Sequence, residues 1–73
     1  MELVDHPRDD LTPREIDVLR LIASGNANKE IADQLSIGEA SVKSYVANIL
    51  SKLDAKDRAH AVTIGLKRGI IEL

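Results

Sequence analysis

Seventy-three residues, 8.0 kDa in all, make one small domain with no room for a second core. The chain has no cysteine, which removes disulfides, thiolate zinc sites and thiol catalysis, and no apolar run is long enough to span a bilayer. A 44% hydrophobic composition with a single aromatic residue, Tyr45, favours an all-helical core over a barrel or sandwich.

Residues 1–10 lack periodicity, and Pro7 falls among charges, so they read as a flexible acidic arm or linker ahead of a domain at 11–73. No charged-then-apolar leader is visible, which fits a cytoplasmic chain. The net charge of −2 is unevenly spread. Residues 1–17 hold six acids against two arginines, whereas residues 18–73 hold eight lysines and arginines against six acids. The later part is mildly basic, a property that bears on partners and encounter rate and not on fold.

A first helix is expected over about 13–24. Thr12 fits the N-cap, Pro13 the first helical position and Glu15 the third, which closes a capping box. Leu11 can staple onto Ile16, the apolar stripe continues through Leu19, Ile22 and Ala23, and Gly25 is the natural stop. A short second helix, about 28–35, buries Ile31, Ala32 and Leu35, with Asn26 or Asn28 as its cap.

Gly38 then caps a longer helix at about 39–53. Val42, Val46, Ile49, Leu50 and Leu53 form its apolar seam. At 100° per residue the opposite side carries Ala40, Ser44, Ala47 and Ser51, with Lys43 and Asn48 on the borders. A fourth helix, about 57–68, starts from Asp57 as N-cap. Ala59, Val62 and Leu66 form one strip, and Ala61, Ile64, Gly65 and Arg68 form an adjacent one. Ile70 and Ile71, after Gly69, can fold back as the apolar contact of a Schellman end.

The resulting all-α four-helix bundle contains a short helix, a tight turn and a longer amphipathic helix, which is the pattern of a helix-turn-helix. A groove-entering surface has to be slim and rich in hydrogen-bonding groups. Lys43, Ser44 and Asn48 supply donors and acceptors, while Ala40 and Ala47 keep the profile narrow and can touch thymine methyl groups. From pattern alone, the same face can equally be the solvated side of a core helix.

The residues add a resemblance. Leu11-Thr12-Pro13-Arg14-Glu15, Asn28-Lys29-Glu30-Ile31-Ala32, Ser41-Val42-Lys43-Ser44-Tyr45-Val46, Ile49-Leu50-Ser51-Lys52-Leu53, Asp57-Arg58 and Ala61-Val62 occur in that order. Over residues 11–71 this resembles the LuxR/FixJ-type helix-turn-helix domains, the output domains of many bacterial response regulators and quorum-sensing receptors.

The resemblance implies binding of double-stranded promoter DNA, usually as a homodimer, with RNA polymerase as a further partner. It puts Lys43, Ser44 and Ala47 in the major groove, Asn28, Lys29 and Ser41 at phosphates, and a dimer contact on the fourth helix. Tyr45 stands where histidine is common, with its ring at the edge of the seam and its hydroxyl free for a phosphate. Ala47 replaces a position that is usually polar or basic and leaves fewer base hydrogen bonds. Ala27 stands where Ser or Pro is common and weakens the start of the second helix. For the dimer seam the reading takes Ala61, Ile64, Gly65 and Arg68, and for the DNA surface it adds Tyr45 and Asn48.

Other residues are read more plainly. Lys52 is expected as a solvated lysine, and Arg58 as either an ion-pair partner of Asp54 or Asp57 or a DNA contact. His6 and His60, which have no spaced partners, are expected as solvated residues, so no metal site is assigned. No Gly-rich phosphate loop and no nucleophile–base constellation is present, so neither a cofactor nor an enzyme activity is assigned. The rival to DNA binding is a helical protein-interaction module of the same fold, motivated by the net acidity and by Ala47.

Overall fold

The computed structural model describes residues 11–73, so the arm expected at 1–10 lies outside the described residues. Four helices follow one another: α1 Pro13–Ala23, α2 Asn28–Leu35, α3 Glu39–Leu53 and α4 Arg58–Lys67. All four fall where the periodicity put them, and the described residues contain no strand.

At the start of α1, the Thr12 hydroxyl accepts from Glu15 N at 3.2 Å, and Glu15 Oε1 accepts from Thr12 N at 2.9 Å. The box is therefore complete, and Pro13 occupies the first helical position, where no N–H is needed.

The helix ends share one device. After α1, Gly25 N donates to Ile22 O and Asn26 N to Leu21 O; after α4, Gly69 N donates to Leu66 O and Ile70 N to Gly65 O. Both are Schellman ends built on a glycine in the left-handed region, with φ of 92° at Gly25 and 72° at Gly69. The ends of α2 and α3 use the same backbone turn without glycine: Ser36 and Asp54 sit at φ 57° and 55°. Each Cβ there works against the stop by about 1–2 kcal/mol.

α3 packs against each of the other three helices, and α4 packs against α1 and α3. Val18, Leu19, Ile31, Val42, Ile49 and Leu53 are fully buried and make the centre of the core. Burial of side chains this size stabilises the fold by about 1.5–3 kcal/mol each. Leu11, just before α1, and Ile71, just after α4, complete the core. The packing seals one side of α3 and leaves Glu39, Ala40, Ser41, Lys43, Ser44, Ala47, Asn48 and Ser51 exposed.

The strip assigned to a dimer seam on α4 is corrected in part. Ala61 is buried, and Gly65 is buried where α4 meets α1. A Cβ on Gly65 would lie 3.0 Å from Leu19 Cδ2 and 3.1 Å from Ile71 Cγ1. Both small residues are inside the domain, and Gly65 lets α4 approach α1 closely; Ile64 is half-buried and Arg68 exposed.

Candidate nucleic-acid interface

The outer side of α3 brings most of the expected site residues together. Ser41, Lys43, Ser44, Ala47 and Asn48 are all exposed on it, and Lys29 is exposed near the start of α2. Tyr45 is half-buried against the core, at the edge of the seam as its position predicts. The small side chains at 40, 44, 47 and 51 leave a slim ridge between Lys43 and Asn48. Such a ridge can enter a groove about 12 Å wide without pushing the backbones apart.

Asn28 is half-buried, and its Oδ1 accepts from Arg58 Nη1. Arg58 Nη2 donates to Asn26 O at 3.1 Å. Both of these bonds reach across from the first residue of α4 to the turn that opens α2, so Arg58 bridges elements through neutral oxygens. Asn26 is itself held from two other sides: its Nδ2 donates to Leu21 O at 2.9 Å and its Oδ1 accepts from Gln34 Nε2 at 2.9 Å. Neither asparagine caps α2. The N-cap is Ala27, which has no side-chain acceptor, and the turn is braced from the other direction by Glu30 Oε1, which accepts from Ala27 N at 2.7 Å.

Two residues outside this surface, Lys52 and His60, behave differently from the expectation of plain solvation. Lys52 is paired: its Nζ lies 2.8 Å from Glu15 Oε1, in a salt bridge joining the C-terminal turn of α3 to the capping box of α1. Glu15 is only 3% exposed. Burial pushes its carboxyl up, but the Lys52 ammonium and the N–H and hydroxyl of Thr12 outweigh that and hold it below its ordinary value of 4.5. His60 is half-buried, its backbone N donating to Asp57 Oδ1 at 2.8 Å and its Nδ1 accepting from Lys56 N at 3.0 Å. The ring therefore completes the cap of α4. His6 lies outside the described residues. Among the described residues, no cluster of three His, Asp or Glu side chains is placed to hold a metal ion, and no helix is long and apolar enough to cross a membrane.

Residues 9–64 match the family described as bacterial regulatory proteins of the luxR family (GerE). The chain belongs to the LuxR family. That family is one of DNA-binding transcription regulators and not of enzymes.

Among curated LuxR-type relatives, the transcriptional regulatory protein LiaR of Bacillus subtilis is 43% identical over 65 residues, 89% of this chain and 31% of that protein. LnrK of the same organism is 48% identical over 61 residues, 84% of this chain and 28% of that protein. The response regulator protein VraR of Staphylococcus aureus is 45% identical over 62 residues, 85% of this chain and 30% of that protein. The solved structure of the response regulator ChrA, from a heme-sensing two-component system, superposes with a TM-score of 0.84 at 37% identity. That match covers 89% of this chain and 32% of ChrA. The chain thus spans about a third of the length of the LuxR-type proteins it matches.

Proposed function

We propose that this LuxR-type domain is the DNA-binding output module of a bacterial two-component response regulator, acting in the cytoplasm on double-stranded promoter DNA. In this reading α3 enters the major groove. Lys43 meets a phosphate or a guanine edge, Ser44 and Asn48 address base edges, and Ala47 touches thymine methyl groups. Asn28, Lys29, Ser41 and the Tyr45 hydroxyl take the flanking phosphates. The observation that carries the reading is the exposed row Ser41, Lys43, Ser44, Ala47 and Asn48 on a helix whose other side is sealed in the core.

The two lysines of this surface, Lys29 and Lys43, give one copy only modest electrostatic grip. Two copies on neighbouring half-sites offset that by avidity. We place the homodimer contact on the outer side of α4, where Leu66 is 37% exposed and Val62 is half-buried beside it. Ile64 and Arg68, which the sequence also offered for this contact, lie on the opposite side of α4. A regulator so placed on a promoter lies within reach of RNA polymerase.

The test is Lys43→Glu. The variant keeps its helical circular dichroism and loses binding to duplex at moderate salt by at least tenfold, read by fluorescence anisotropy. Binding that survives both the reversed charge and added salt points to the protein-interaction reading instead.

A further inference from the structure

We propose that Arg58 is a positioning residue for the DNA-contacting surface, fixing Asn28 and the opening turn of α2 from the first residue of α4. The proposal rests on the DNA-binding reading above and assigns a function to a residue outside the exposed row.

Four observations converge on it. Ala27, the N-cap of α2, lacks a side chain able to hold the turn. No Cα of α2 comes within 8 Å of a Cα of α4, so packing of these two helices does not set their relation. The Arg58 side chain spans that gap, with one guanidinium nitrogen on Asn28 Oδ1 and the other on Asn26 O. Asn26 is tied in turn to Leu21 of α1 and Gln34 of α2. The planar fork of a guanidinium can hold two acceptors at once, and a lysine ammonium on a flexible stem does not reproduce that geometry.

The chemistry gives Asn28 a direction. Its carboxamide oxygen is taken up by Arg58, so its Nδ2 group remains as the donor that can be offered outward. A donor amide suits an anionic phosphate oxygen; an amide flipped to present its oxygen would repel it. Arg58 therefore selects the orientation of Asn28 that can bind DNA. Its hydrogen bonds go to neutral oxygens, so its charge also adds to the positive potential at the start of α2.

The experiment compares the full chain with Arg58→Ala, Arg58→Lys, Asn28→Ala and the Arg58→Ala/Asn28→Ala double variant. A labelled duplex enriched by the wild-type chain from a random pool is titrated at several KCl concentrations, alongside urea unfolding of each variant. Arg58→Ala is expected to weaken binding about fivefold to tenfold and to flatten the log–log salt slope by no more than about one, through loss of the guanidinium charge, because the uncharged Asn28 amide releases no counterion. Arg58→Lys, which retains charge but not the fork, recovers less than half of that loss. The double variant binds no worse than the weaker of the two single variants, because both remove the same contact.

Wild-type affinity in Arg58→Ala, full rescue by lysine, or losses that multiply in the double variant each overturn the proposal. The Asn28 side-chain amide signals of the free protein provide a reading without DNA: shifts displaced from those of a solvated asparagine in the wild type, which move to the solvated values in Arg58→Lys. If the wild-type chain enriches no duplex while those signals behave as described, the DNA reading fails and this proposal with it. If the wild type binds and Arg58→Ala binds equally well, only this proposal fails.

Discussion

At the start of α1 the orphan N–H groups are met by residues three apart in sequence, Thr12 and Glu15, with Lys52 closing over the carboxylate. At the start of α2, away from that corner, the N-cap is an alanine, and the turn is held by Glu30 from within and by Arg58 from thirty residues downstream. The difference follows what each end has to do. At the α1 corner the Glu15 carboxylate is buried, so it must find its partners inside the protein. The α2 corner carries Lys29 in the open, and its free donors remain available to a ligand. One start is closed by its own neighbours in sequence; the other is held by Glu30 and by a residue of α4, with Lys29 left exposed.

The strongest way to break this contrast is Glu15→Ala. It removes the acceptor for Thr12 N and leaves Lys52 without its partner. A loss of about 2–3 kcal/mol in urea unfolding is expected, below the full cost of a deeply buried pair because the ammonium can turn to water. By comparison, Arg58→Ala touches the half-buried α2 corner and is expected to cost about 1 kcal/mol of stability. A larger loss from Arg58→Ala than from Glu15→Ala would reverse the assignment of the two corners.

Acid sharpens the comparison through the same carboxylate. Glu15 titrates below its ordinary 4.5 in the folded chain, so its contribution is fully present above that pH and fades as the pH falls through the lowered native value. Wild type and Glu15→Gln should therefore converge in stability on acidification and separate again as the pH is raised past 4.5, as followed by urea midpoints. A gap that stayed constant across that range would remove the ion pair from the account.

The smallest expected effect is Ala27→Ser, which gives α2 the local cap that α1 already has. It is expected to stabilise the chain by about 0.5–1 kcal/mol. It should also lessen the stability cost of Arg58→Ala, since the turn then has a second means of support. Additive energies in the double variant would show that the two devices act on different groups.

Most of the fold was legible in local spacing. Thr12-Pro13-Arg14-Glu15 announces its own helix start, and Val42, Val46, Ile49, Leu50 and Leu53 announce which side of α3 is buried. The exposed row on α3 follows from that seam by geometry. What the sequence hid depends on contacts between distant residues. Lys52 meets Glu15 and Arg58 meets Asn28 across separations that leave no periodic trace. On α4 two adjacent strips compete, and the choice between them is made by how closely Leu19 and Ile71 approach Gly65. The clue was a glycine inside an otherwise good helix, which signals a close neighbour as readily as a dimer seam. Ser36 and Asp54 gave no sign of left-handed backbone because neither is a glycine.

The left-handed stops at Gly25, Ser36 and Asp54 have a kinetic consequence. They reverse or redirect the chain so sharply that the spans joining the helices are residues 24–27, 36–38 and 54–57. Little loop entropy has to be surrendered before neighbouring helices meet, and most of the contacts are local. Wiring of this kind refolds in about microseconds to milliseconds.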